Sequence, residues 1–248
     1  MKNISIIIIS LIIGLPSVKS QCTLNNSEVN STYISTSGIS EIDNLIKSEK
    51  IKLEQFFNVK VEMKTCNGYN GLARSSCASY NCNGTIELGK GLLLFEYKKK
   101  GPSSGYNIGK YMIISIMAHE FAHIFQYSHP EFRFKNSVVQ EVHADMLAGW
   151  YMTKYFMDNT PGSDKYGWYY SSEGSKVRDI WTDMTISFGW MGDKAYWSKQ
   201  HHGNYSTRAL AFHEGWSFLA EREIKDFSYY LDRSVQIAES LIERFDNE

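Results

Sequence analysis

The spacing of apolar residues predicts a mixed helix and strand region at the beginning of the chain. Between Ser40 and Phe57 the apolar positions recur at helical spacing, so we predict an amphipathic helix. Val59–Met63 alternates apolar and polar residues, which is typical of a half-buried strand. Thr85–Tyr97 is the best further strand candidate, with a break at Gly89 or Gly91. These elements predict a small α/β lobe.

From about residue 107 onward the pattern becomes helical. Asn107–Ser128 is apolar on nearly every side, which predicts a buried helix. Helices are also predicted for Asn136–Met157, for Ser172–Phe188 and for Ser206–Phe245, the last broken near Lys225. Strands followed mostly by helices predict an α+β fold with a mostly helical carboxy-terminal part.

The buried helix carries polar residues in a pattern that predicts a metal site. His119 and His123 are four residues apart, so they share one helix face and can reach one metal ion. Glu120 follows the first histidine, as the general base does in zinc peptidases. Buried polar groups without partners cost roughly 1–3 kcal/mol, and a metal ion would provide such partners. We therefore expect a zinc ion with a water molecule that Glu120 deprotonates.

Catalytic zinc usually has three protein ligands, and the sequence offers three candidates for the third. Glu141 lies on the next predicted helix, after a loop that would let the two helices pack antiparallel. His129 is the rival, but on a continued helix it lies about 240° around from His123. His143 lies about 200° around from Glu141 and cannot share its face.

Asp145 is expected to support the site rather than to bind the metal. It follows Glu141 by four residues and therefore shares its helix face. A carboxylate in that position can accept a hydrogen bond from a ligand histidine and fix its tautomer. The small residues Ala144, Ala148 and Gly149 would allow a neighbouring helix to approach closely.

The first twenty residues have the features of a secretory signal peptide. Lys2 precedes an apolar run from Ile4 to Leu15, and small residues precede a cleavage site after Ser20. The run is too short to span a bilayer, which takes about 20 residues. We therefore expect a secreted or periplasmic protein without a membrane anchor, whose residues 21–248 form a single domain.

The cysteine content and the charge add two further expectations. An even number of cysteines in an exported chain predicts two disulfides in the amino-terminal lobe, with three possible pairings of Cys22, Cys66, Cys77 and Cys82. The formal net charge of −1 at pH 7 shows no basic excess. Nucleic acid is therefore not an expected partner.

Three sequence blocks resemble the gluzincin peptidases, and within them the bacterial neutral zinc metallopeptidases. The blocks are His119–Gln126, which reads HExxHxxQ, Glu141–Asp145, which reads ExxAD, and His202–Arg208. The resemblance implies a zincin-like fold in which an edge strand runs above the metal helix and pairs with an extended substrate. By analogy we assign that role to Thr85–Tyr97.

The resemblance also implies an activity and further site residues. It implies a zinc metalloendopeptidase that hydrolyses peptide or protein substrates, with zinc bound by His119, His123 and Glu141. His202 is the first candidate for a catalytic donor to the oxyanion, followed by Tyr205 and Arg208. The alternative is a catalytically inactive exported protein on the same fold that binds zinc or a partner. An intact Glu120 favours the enzyme, because an inactive site has no need of a general base.

Overall fold

The computed structural model describes most of the chain after residue 32. The described ranges are 33–68, 71–76, 81–132, 134, 136–163, 170–191, 204–220 and 227–245. The predicted signal peptide lies outside them, and so do Cys22, Cys77 and His202. No helix in the described ranges is long and apolar enough to cross a membrane.

Four strands and seven α-helices form the described chain, with a short 3-10 turn at Pro130–Phe132. In chain order they are β1 (Tyr33–Ile34), α1 (Ser40–Phe57), β2 (Val61–Cys66), β3 (Gly71–Arg74), β4 (Gly84–Gly89), α2 (Lys90–Tyr97), α3 (Gly109–Ser128), α4 (Ser137–Asn159), α5 (Ser172–Gly189), α6 (Tyr205–Ala220) and α7 (Phe227–Phe245). The prediction of an α+β fold is confirmed.

The strands form one small mixed sheet in the order β1-β2-β4-β3. β2 and β4 are parallel, whereas β1 and β3 run antiparallel to their neighbours. The prediction of a strand over Thr85–Tyr97 is therefore wrong in its second half, which forms α2. It is also wrong about the edge, because β4 pairs on both sides. Within the described sheet, β3 is the edge strand on this side.

The buried helix α3 lies at the centre of the fold. It packs against α1, α2, β3 and β4 in the first lobe and against α4 and α5 in the second. Every residue from Met112 to Gln126 is buried, as its apolar pattern predicts. Asn107 accepts a hydrogen bond from the backbone N–H of Gly109 at the amino end of the helix, and Pro130 follows its carboxyl end.

The second long helix, α4, joins α3 to the carboxy-terminal helices. It packs against α3, α6 and α7. Its N-cap is Asn136, whose side chain accepts a hydrogen bond from the backbone N–H of Val138. Gly149 and Gly215 lie where α4 and α6 cross, and a Cβ at either position would meet backbone atoms of the other helix. Gly149 thus allows α6, rather than α3, to come close.

The predicted helices agree with the structure to within about two residues. α1 has the predicted bounds, and α3, α4 and α5 differ from theirs only at the ends. The strand predicted at Val59–Met63 begins and ends later, as β2. The stretch predicted as Ser206–Phe245 forms the two helices α6 and α7, with residues 221–226 between them outside the described part.

Two of the four cysteines lie in the described part of the chain. Cys66 is buried at the end of β2, and Cys82 precedes β4. Neither is a free thiol. Because Cys22 and Cys77 are outside the described residues, the number and pairing of the disulfides stay a prediction.

Candidate metal centre

Helices α3 and α4 bring three potential metal ligands together. The Nε2 atoms of His119 and His123 are 3.0 Å apart. The two carboxylate oxygens of Glu141 lie 3.4 Å from Nε2 of His119 and 3.3 Å from Nε2 of His123. Among the described residues, no other group of histidine, cysteine or carboxylate side chains is compact enough to hold a metal ion. Both histidines are buried, and Glu141 is half-buried.

His119 is oriented by a buried ion pair. Its Nδ1 lies 2.8 Å from Oδ1 of Asp145, which is completely buried. Arg208, from α6, donates two hydrogen bonds to the same carboxylate, from Nε to Oδ2 at 2.7 Å and from Nη2 to Oδ1 at 2.6 Å. The guanidinium also donates to the backbone carbonyl of Met191 and lies over the ring of Phe188. Asp145 is therefore held with its negative charge beside Nδ1 of His119.

His123 is oriented by a neutral side chain. Its Nδ1 lies 2.9 Å from Oε1 of Gln126, one helical turn further along α3. The amide nitrogen of Gln126 donates to the backbone carbonyl of Gln140 at 2.9 Å and lies 3.0 Å from Nδ1 of His143. The other ring nitrogen of His143 lies 2.8 Å from Oγ of Ser234, on α7. All three supporting side chains are completely buried.

These contacts aim the Nε2 atoms of both histidines at the same place. The Nε2 atoms of His119 and His123 are 3.0 Å apart, and each lies beside a carboxylate oxygen of Glu141. The carboxylate of Glu141 adds negative charge beside them. Burial lowers the pKa of His119, but hydrogen bonds and charges from Asp145 and Glu141 raise it to about 10. The cluster thus favours a positive charge at its centre.

The dimensions of the cluster fit zinc. Zinc binds histidine nitrogen and carboxylate oxygen at about 2.0–2.2 Å in a tetrahedral arrangement, which places ligand atoms about 3.3 Å apart. The separations of 3.0–3.4 Å between His119, His123 and Glu141 agree with that geometry. Two imidazoles and one carboxylate form a known donor set for catalytic zinc with an open fourth position.

Glu120 lies beside the cluster and directly against the edge strand β3. It is buried on α3 between the two ligand histidines. At Gly71, the first residue of β3, a Cβ would come within 2.7 Å of Oε1 of Glu120. The backbone of β3 therefore passes next to the predicted general base, and only glycine allows this spacing without a shift.

The remaining sequence candidates have different surroundings. His129 caps the end of α3, where its Nδ1 lies 2.9 Å from the carbonyl oxygen of Phe125, and it is absent from the ligand cluster. His143 contacts Gln126 and is absent from the ligand cluster. Arg208 pairs with Asp145, and Tyr205 is exposed at the start of α6. His202 lies outside the described residues, so its predicted catalytic role stays a prediction.

Several supporting residues have little or no signal in the sequence. Tyr127 stacks on the ring of His123, and burial together with the charges of Glu120 and Glu141 raises its pKa. Gln126 had a weak signal, because it lies three residues after His123 on the same helix face. Ser234 had none, since it lies 91 residues from His143 along the chain.

Comparison with known proteins identifies no relative. No protein-family model matches this chain, and neither does any curated protein or solved structure.

Proposed function

We propose that this chain is a zinc-dependent peptidase in which His119, His123 and Glu141 hold the metal and Glu120 is the general base. The observation that carries this proposal is the convergence of the three ligand atoms at mutual distances of 3.0–3.4 Å. Glu120 follows the first ligand on the same helix and lies against the edge strand. This is the arrangement that metal-assisted peptide hydrolysis requires.

The side chains around the site have separate tasks in this proposal. When bound, zinc supplies a Lewis acid that polarises a carbonyl group and lowers the pKa of water to about 7. Glu120 takes a proton from the attacking water and passes it to the nitrogen of the leaving amine. Asp145 and Gln126 keep the Nδ1 protons on His119 and His123, so both Nε2 atoms remain donors to the metal.

The position of β3 supports a peptide as the substrate. In the described sheet β3 pairs on one side only, with β4. An extended peptide that adds to such an edge gains main-chain hydrogen bonds with little demand on its sequence. Because Gly71 touches Glu120, a peptide aligned along β3 would bring a scissile bond close to the general base. Gly71–Arg74 thus replaces Thr85–Tyr97 as the proposed substrate-binding strand.

The proposal includes the finer features that the sequence predicts. They are a zincin-like arrangement, a disulfide-pinned first lobe and export directed by residues 1–20. The support for the first is a sheet packed against the helix that carries both histidines, followed by a helix that carries the third ligand. The support for export is the signal-like pattern and the even number of cysteines.

The decisive experiment separates metal binding from catalysis. Glu120→Gln should keep the bound zinc and lose about 10²–10⁴-fold in the cleavage of casein or a peptide library, because it lacks a proton acceptor. Glu141→Ala should lower zinc affinity by at least about tenfold, because a ligand is removed. Glu131→Gln, an exposed residue of the same type, is the matched control and should behave as wild type. Zinc content and cleavage are measured for all four proteins.

Two results would count against the proposal in different ways. Full cleavage activity in Glu120→Gln would rule out Glu120 as the base. A wild-type protein that binds zinc tightly but cleaves no peptide would favour the inactive zinc-binding alternative.

A further inference from the structure

The hydrogen bonds behind His123 have only one consistent direction. The carbonyl oxygen of Gln140 can only accept, so the atom of Gln126 that lies 2.9 Å from it must be the amide nitrogen. The amide oxygen then faces His123 and accepts from its Nδ1–H. A reversed amide would place two carbonyl oxygens in contact, which fixes the orientation of this side chain.

The same reasoning extends through His143 to the last helix. The second amide hydrogen of Gln126 points at Nδ1 of His143, which must therefore be the unprotonated nitrogen. The Nε2–H of His143 then donates to Oγ of Ser234, and the Ser234 hydroxyl donates to the backbone carbonyl of Leu231 at 2.6 Å. Every donor and acceptor in this buried chain has one role.

Two aromatic rings hold the imidazole of His143 in place. The ring of Phe132, in the 3-10 turn, stacks on it with a centroid distance of 5.7 Å and an interplanar angle of 9°. The ring of Phe134 meets it edge-on at 5.2 Å. The imidazole is therefore fixed by packing as well as by hydrogen bonds.

We propose that His143 and Ser234 are positioning residues for the metal ligand His123 and act on it through Gln126. The inference rests on the metal-binding part of the proposed function and does not depend on hydrolysis. It gives α7, which lies far from the ligands in sequence, a defined effect on the metal centre.

The effect of losing His143 follows from the geometry. Without an acceptor at that position, one amide hydrogen of Gln126 is buried without a partner. The amide of Gln126 is then held by its hydrogen bond to Gln140 alone, so Oε1 is held less firmly against Nδ1 of His123. The ring of His123 then loses a fixed contact, and its Nε2 is aimed less firmly at the point that it shares with His119 and Glu141. Metal affinity therefore falls although no ligand has changed.

The test compares three substitutions along the chain. His143→Leu should weaken zinc binding about 10–100-fold, as the loss of such supporting contacts does in other metal sites. His143→Asn places a carbonyl oxygen where Nδ1 was, so it should restore affinity to within about threefold of wild type. Ser234→Ala removes only the second contact and should weaken binding by several-fold, about threefold to tenfold. Zinc affinity is measured by competition with a chelator, and the Co²⁺-substituted proteins are compared by visible absorption.

Thr153→Val is the matched control, because it removes a buried hydroxyl from α4, the helix that carries His143, at a site away from the metal. It should leave the zinc affinity and the Co²⁺ spectrum unchanged. Should His143→Leu fail to fold, the Asn and Ala substitutions still decide the question. Wild-type affinity in both His143→Leu and Ser234→Ala would overturn the inference, and so would an equal loss in Thr153→Val. A wild-type protein that binds no divalent metal would overturn the proposed function as well.

Discussion

At the scale of single residues, the two histidines proposed as ligands are supported in chemically different ways. His119 depends on a charged pair, Asp145 and Arg208, whereas His123 depends on the neutral amide of Gln126. Breaking a buried ion pair leaves an uncompensated charge, which is costly. The support of His119 is therefore the more sensitive of the two to a single substitution.

We expect Arg208→Leu to lower the free energy of unfolding by roughly 3–5 kcal/mol, because the completely buried carboxylate of Asp145 would lose both hydrogen bonds from its guanidinium partner. Urea unfolding of the metal-free protein measures this change. Lys47→Leu, at an exposed position on α1, should change stability by no more than about 0.5 kcal/mol. Equal stability of the Arg208→Leu protein and wild type would show that the pair contributes nothing.

The sequence predicts the residues that would touch the metal better than the residues behind them. The spacing of His119, Glu120 and His123 on one helix, and of Glu141 and Asp145 on the next, is short-range and follows from helical geometry. The pairing of Asp145 with Arg208 spans 63 residues, and helical spacing cannot predict it. The resemblance of the block His202–Arg208 makes Arg208 a candidate for the oxyanion, whereas in the structure its guanidinium donates to Asp145.

At the scale of secondary structure, the least accurate prediction concerns the segment after residue 84. Its apolar run is ambiguous between a strand and a buried helix, because periodicity alone does not separate the two over short lengths. The structure divides it into β4 and α2. β3 has only four residues and lies between stretches rich in Asn, Gly and Ser, so its sequence pattern does not predict a strand. The edge strand is therefore one strand earlier in the chain than the predicted Thr85–Tyr97.

The contact between β3 and α3 makes Gly71 a test of how closely the general base is held. Gly71→Ala should reduce peptide cleavage about 100-fold, because the new methyl group displaces the carboxylate of Glu120. Zinc affinity should be unchanged, and stability should change little because the carboxylate can swing aside. Peptide cleavage, zinc content and thermal unfolding are measured together.

Ala73→Gly, on the same strand, is the control for a change in backbone flexibility and should have a much smaller effect on cleavage. Wild-type cleavage by Gly71→Ala would show that β3 does not constrain Glu120.

At the scale of the whole molecule, the proposed metal site lies between the two halves of the described structure. His119 and His123 lie on α3, which packs on the sheet, and Glu141 lies on α4, which packs on α6 and α7. A metal ion bound to all three would link these two parts directly. Any ligand that binds only the folded state also stabilises it.

Removal of zinc should therefore lower the unfolding temperature. With free zinc at about 100 times its dissociation constant, the bound ion adds about 2.7 kcal/mol to the free energy of unfolding. Calorimetry with zinc and with a chelator measures the difference. In His123→Ala the two curves should nearly coincide, and a full shift in that variant would place the stabilising ion elsewhere.

The chain of hydrogen bonds from His123 to α7 also limits how protons can move. A route for protons needs an acceptor at its far end that can take up and release a proton. This chain ends on the carbonyl oxygens of Gln140 and Leu231, which are too weakly basic to do so. It can hold the ring of His123 in one orientation, but it cannot carry a proton away. In the proposed hydrolysis, protons would therefore move through Glu120 rather than along these hydrogen bonds.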